Sequence, residues 1–187
     1  MRCYPVKFTP LTPLEVLEGL RQAWEELWSE SPSKRSLQVL LAQWALETGR
    51  GRACIHYNLG NVKASAEQEH TFFRTTEWLP LKSAEPLLID PRVKLLSQNA
   101  THAQLRFEPD HPACRFRAFS TLHEGCVEYL KLLRHRFASA WPAVLAGDAA
   151  QFAQLLKQAR YYTVDEKPYR EALVSLCTEF GRLPVKV

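Results

Sequence analysis

Several absences narrow this 187-residue chain before any motif is read. Its five cysteines, Cys3, Cys54, Cys114, Cys126 and Cys177, form no CxxC pair and keep no metal-ligand spacing to the histidines. The odd count speaks against a dedicated disulfide framework and for buried free thiols packing as small hydrophobes, with one bridge left open. No run of eighteen apolar residues occurs, so nothing reads as a membrane span. The Lys/Arg residues form no dense stripe and the net charge is only +4. Nucleic acid is therefore not the expected partner, while an anionic surface is compatible. The opening MRCYPVKFTPLTP has no apolar core and is broken by Pro5, Pro10 and Pro13, so it does not read as a secretory signal. Internal repeats and low-complexity segments are also missing.

What is present is one domain's worth of chain with an ordinary apolar share of 46%. Thr12-Pro13-Leu14-Glu15 reads as a capped helix start, with Leu17, Leu20, Trp24, Leu27 and Trp28 as its apolar stripe. Ser33 or Ser36 caps a second helix, in which Leu37, Leu40, Leu41, Trp44 and Ala45 recur at helical spacing. Glu47 falls at the margin of that stripe. A carboxylate beside Trp and Leu loses hydration, and its pKa rises. Gly49 and Gly51 then end the helix and permit close backbone approach. Residues 52–64 read as loop and 70–79 as a strand rich in aromatic and β-branched residues. Asp90–Leu96 reads as a short helix, Pro109–Pro112 as a turn, and 114–119 as a returning strand with Phe116 and Ala118 on one face. Ser120 or Thr121, then Asp148 and Asp165, are expected to cap three further helices. The fold class expected is α+β, mainly α.

Several short segments carry a resemblance. Ala45-Leu46-Glu47-Thr48-Gly49, then Tyr57-Asn58-Leu59-Gly60-Asn61-Val62-Lys63, is similar to the helix end and following loop of the bacterial glucosaminidase family of peptidoglycan hydrolases. Thr75-Thr76-Glu77, Phe116-Arg117-Ala118-Phe119-Ser120 and Ala159–Asp165 with Tyr169 resemble further family segments, in the family's order. The resemblance spans about residues 35–178. It implies a lysozyme-like helical domain with a small β-hairpin lobe flanking a cleft. Residues 1–34 would be an N-terminal extension and helix, and 81–113 an insertion. Where the family carries Phe-Gly, this chain has Gly60-Asn61, and Asn tolerates the left-handed turn conformation that such a position needs.

The resemblance also implies a chemistry. Glycoside hydrolysis needs an acid on the leaving oxygen and a second group to deal with the oxocarbenium-like centre. Glu47 is the candidate acid and Glu77 the candidate second carboxylate, with Glu67 and Glu69 behind it. The substrate's own 2-acetamido group is an alternative nucleophile. Tyr161 matches the family's cleft-lining tyrosine, Asn58 would brace the loop and help shape the substrate site, and Tyr57 and Trp78 are candidate platforms for sugar rings. A Cys54–His56 nucleophile pair lacks a third supporting group. No metal or cofactor is implied.

The expected activity is cleavage of a β-1,4 bond in peptidoglycan, as an N-acetylglucosaminidase ahead of a muramidase. A non-catalytic glycan-binding module on the same fold is the alternative. With no signal read at the N-terminus, the expected location is the periplasm or cell wall, reached by specialised secretion, lysis or particle delivery. An exported antibacterial toxin or a phage lysin would fit that route. The corresponding partners would be glycan strands, secretion machinery and an immunity or inhibitor protein.

Overall fold

The computed structural model describes residues 2–184, which fall into two compact units. The larger unit holds Lys7–Val62 and residues 119–184, and its regular elements are helices. Its helices are α1 (Pro13–Trp28), α2 (Lys34–Glu47), α4 (Leu122–Lys131), α5 (Trp141–Ala146), α6 (Ala149–Gln158) and α7 (Glu166–Phe180). The smaller unit holds residues 2–6 and Lys63–Ala118, and carries all the strands together with the one-turn helix α3 (Leu81–Ala84).

Helix α1 begins as its sequence dictates. Thr12 accepts from the Glu15 amide while Glu15 accepts from the Thr12 amide, and Pro13 occupies the first turn where its missing N–H costs nothing. Ser33 caps α2 by accepting from Ser36 N at 3.0 Å. Thr121 and Asp148 cap α4 and α6 in the same way. Asp165 stands at the start of α7 but makes no side-chain cap bond.

Helix α2 is the axis of the helical unit. The sequence suggests a one-sided stripe, but residues 36–37 and 39–45 are all buried. A helix buried on every side is enclosed by its neighbours, here α1, α5 and α7. Trp24, Trp28 and Trp141 pack at the edge of this core with ring centroids 4.7 to 5.2 Å apart.

In the strand unit, β1 (Cys3–Tyr4), β2 (His70–Phe72) and β6 (Arg115–Arg117) form one sheet in the order β1-β2-β6. A second sheet, in the order β3-β5-β4, is built from β3 (Thr75–Pro80), β4 (Val93–Gln98) and β5 (His102–Phe107). The stretch 70–79, expected as one strand, is thus two strands in different sheets, broken at Phe73-Arg74. The expected helix at Asp90–Leu96 is instead strand β4, because Val93 and Leu95 pair across to Phe107 and Leu105. Local sequence there suits either state, and cross-strand pairing decides. Phe116 and Ala118 are buried while Arg115 and Arg117 are only half-buried, as the alternation of β6 requires. All five cysteines are free thiols.

Candidate functional site

The C-terminal turn of α2 delivers Glu47, and the next residues hold that turn in place. Thr48 Oγ1 donates to Trp44 O at 2.6 Å and accepts from Gly51 N at 3.0 Å. Gly49, Arg50 and Gly51 all have positive φ. At Gly51 a side chain is excluded outright, since a Cβ would lie 2.2 Å from Leu11 O. The chain therefore leaves α2 in one fixed direction.

Asn58 shapes the loop that follows. Its buried amide accepts from Val62 N at 2.7 Å and donates to Val62 O at 3.0 Å. Those two bonds close residues 58–62 into a tight turn, with Asn61 at φ +52°. Asn61 thus adopts the left-handed conformation its type tolerates. Its Nδ2 points at Glu47 Oε2, at 3.5 Å.

Glu47 Oε1 accepts from the Tyr169 hydroxyl at 3.0 Å. Tyr169 projects from the first turn of α7 and is held by ring stacking on Tyr162 at 3.8 Å. Glu47 is half-buried. Loss of hydration raises its pKa above the usual carboxylate value, and the bonds from Tyr169 and Asn61 oppose that rise without cancelling it. The group keeps its proton to higher pH than a surface glutamate and still has an open side.

Two further tyrosines close the cluster. Tyr161 donates to Gly60 O at 3.4 Å and meets Phe137 edge-on at 4.9 Å. Tyr129, on α4, is fully buried and donates to Gln43, one turn before Glu47 on α2. Burial first, and then the Glu47 charge, push the pKa values of Tyr129, Tyr161 and Tyr169 up. All three stay neutral hydroxyls over the physiological range.

Tyr57 is half-buried at φ +53°, its amide bonded to Thr9 Oγ1 at 2.8 Å and its carbonyl packed on Gly125. Cys54 is buried, and burial pushes its thiol up to about 11, which removes the thiolate that nucleophilic chemistry needs. Among the described residues no group of three or more His, Cys, Asp or Glu side chains is arranged to hold a metal ion.

Glu77 and Trp78 belong to the strand unit and point to opposite faces of β3. Glu77 lies opposite buried Leu105, and Trp78 opposite half-buried Gln104. The two side chains therefore stand on opposite sides of the sheet. Glu77 is half-buried, and its charge is felt by the Lys63 ammonium, which rests over the Phe116 ring at 3.7 Å. Glu67 and Glu69 are exposed and accept from Ser65 at 3.3 Å and Tyr4 at 3.0 Å.

The sequence alone did not single out Gln43 or Tyr129, gave Asn61 only its turn conformation, and gave Tyr169 no role. For Asn61 and Gln43 a signal existed: Gln43 precedes Glu47 by one helical turn, and Asn61 is a non-glycine residue where a left-handed turn was expected.

A half-buried carboxyl at the end of a buried helix, raised in pKa and bonded by a neutral phenol, is suited to passing a proton to a leaving group. Residues 23–182 match the glucosaminidase family, described as mannosyl-glycoprotein endo-beta-N-acetylglucosaminidase. The chain belongs to that family and is a glycoside hydrolase with a lysozyme-like, mainly α fold. Among solved structures, it is similar to the glycoside hydrolase domain of FlgJ from Salmonella typhimurium. The identity is 24% and the TM-score 0.51, over 92% of this chain and 99% of that one. It is also similar to the catalytic domain of the autolysin Auto from Listeria monocytogenes, at 19% identity and a TM-score of 0.50, over 92% of this chain and 86% of that one. Among curated proteins none matches the chain.

Proposed function

We propose that the chain is a peptidoglycan hydrolase that cleaves a β-1,4 bond on the reducing side of N-acetylglucosamine, with Glu47 as the general acid. The observation that carries this reading is the carboxyl of Glu47, desolvated so that it holds its proton to higher pH than an exposed glutamate and bonded at Oε1 by Tyr169. A group in that state can protonate a leaving oxygen near neutral pH. Autolysis, the role named for the Listeria neighbour, is the cell-wall context that favours peptidoglycan over a mannosyl glycoprotein.

In the proposed reaction Glu47 gives its proton to the glycosidic oxygen as the C1–O bond breaks, and the bonding pair leaves with the departing sugar. A water attacks C1 on the opposite side and inverts the anomeric centre, its proton passing to a second carboxylate, the role the resemblance gives to Glu77. If the substrate's acetamido oxygen closes on C1 first, the centre is retained and Glu77 serves only as a charge. Tyr161 donates from a neutral phenol to a sugar hydroxyl or the acetamido carbonyl, and Tyr57 offers a ring to a sugar face. The action belongs in the cell wall, where the substrate lies.

Mass spectrometry of digested cell walls tests this reading. New reducing-end N-acetylglucosamine supports it. New reducing-end muramic acid makes the enzyme a muramidase on the same residues. Cleavage confined to mannosyl glycopeptides overturns the peptidoglycan assignment. The anomer first formed, followed by proton NMR in the presence and absence of Glu77→Gln, separates inversion from acetamido participation.

A further inference from the structure

The β3-β5-β4 sheet has one face committed to a core and one that is not. Residues directly opposed in an antiparallel pair share a face. Glu77 and Leu79 therefore lie with Leu105 and Ala103, on the side that packs with Ala84, Val93 and Cys114. The other side carries two rows running across all three strands, Trp78–Gln104–Ser97 and Thr76–Arg106–Lys94. Alternate residues along a strand set these rows about 7 Å apart. Thr76, Lys94 and Ser97 are exposed, and Trp78, Gln104 and Arg106 are half-buried, so none of the six is committed to a core.

The composition of this face is specific. Trp78 and Gln104 sit side by side at its centre, and Ser97 Oγ donates to Gln104 Oε1 at 3.1 Å. One row away, three cations converge on one carboxylate. Arg74, Arg106 and Lys94 stand 2.9, 3.0 and 3.9 Å from Glu108. One negative charge cannot neutralise three positive ones, so two positive charges remain on the same face, one row from Trp78.

We infer that this face, built wholly within the strand unit, is a second binding surface for the polymer. It takes a sugar ring on Trp78 and a stem-peptide carboxylate at the Arg74, Arg106 and Lys94 cluster. The inference rests on peptidoglycan being the substrate class. An indole offers a flat apolar surface with low conformational entropy, which suits the C–H face of a pyranose, and the neighbouring amide and hydroxyl suit its edge. Guanidinium groups suit a planar carboxylate. Peptidoglycan presents both chemistries at short spacing, and the excess of two positive charges complements its acidic stem peptides. A nucleic-acid ligand would call for a longer uncompensated basic stripe.

The test uses the full chain carrying Glu47→Gln, so that polymer is bound without being cut, and measures cosedimentation with insoluble peptidoglycan. Adding Trp78→Ala or Lys94→Glu should weaken binding roughly tenfold each, a loss of about 1.4 kcal/mol. Lys94 is exposed, so its variant folds normally, and melting curves verify this for both. On glycan strands stripped of stem peptides by an amidase, Lys94→Glu should lose its effect while Trp78→Ala keeps it. Binding unchanged in both variants, no sedimentation of the parent, or equal competition by single-stranded DNA overturns the inference. Hydrolysis by the unsubstituted chain is scored separately. Cleavage with variant-insensitive binding removes the second surface and leaves the hydrolase reading. Face-dependent binding without cleavage does the reverse.

Discussion

Replacing Tyr169 with Phe removes a single hydroxyl from the neighbourhood of Glu47. The ring and its stacking on Tyr162 stay, while the 3.0 Å bond to Oε1 is lost together with the hydroxyl's contact to Gln43. A hydrogen bond to a charged group is worth about 1.5–3 kcal/mol and one to a neutral group about 0.5–1.5. The difference, roughly 1–1.5 kcal/mol, is what Tyr169 contributes to the ionised form over the protonated one. One pKa unit corresponds to about 1.4 kcal/mol, so the variant should hold its proton about one unit higher than the parent. Burial already raises the Glu47 pKa, and the substitution removes a bond that opposes the rise. A general acid is active while protonated, so activity falls on the alkaline side as Glu47 ionises. The assay is the pH dependence of kcat/KM for release of reducing ends. The alkaline limb should move up by about one unit in Tyr169→Phe, and by less in Asn61→Ala, whose contact is longer at 3.5 Å. A limb that stays in place or moves down would refute the claim that this limb reports Glu47 under the control of Tyr169.

Further outcomes follow from the same geometry. Because the folded-state pKa of Glu47 lies above its unfolded value, its contribution to stability is fully present below the unfolded pKa and declines as pH rises through the folded pKa. Glu47→Gln should therefore raise the melting temperature at pH 7 and leave it nearly unchanged at pH 4, which calorimetry at the two pH values checks. Asn58→Ala removes both bonds that close the 58–62 turn and should cost about 1–3 kcal/mol in urea unfolding, with loss of activity as Asn61 and Gly60 shift. Gly125→Ala would place a Cβ 2.0 Å from Tyr57 O, and the shift between α4 and the loop should cost about 1–3 kcal/mol in the same experiment. Arg50→Ala breaks an exposed ion pair with Glu179 and should change stability by less than about 1 kcal/mol, with any effect vanishing in high salt.

The helical half of this protein is written locally. Capping residues Thr12, Ser33, Thr121 and Asp148 and the apolar spacing behind each mark helices that form where expected. The strand half is not. Residues 90–96 satisfy helix and strand alike, and only the partner strand β5 fixes β4. Phe73-Arg74 carries no turn residue, so the break between two sheets is invisible until both sets of partners are known. In the site, Glu47 is legible because a carboxylate abuts a Trp/Leu stripe. Its partners are not, because Tyr169 lies 122 residues away in sequence and meets it only through the packing of α7 on α2. The opposite orientations of Glu77 and Trp78 follow from strand alternation, once 75–80 is known to be a regular strand.

Reducing-end release from purified peptidoglycan by the parent chain and by Glu47→Gln, each verified as folded by circular dichroism, tests the central claim most directly. Clear turnover by the parent is expected, with a loss of at least about a hundredfold in the variant, the scale of a general acid's contribution. Activity in Glu47→Gln within a few-fold of the parent would contradict the claim.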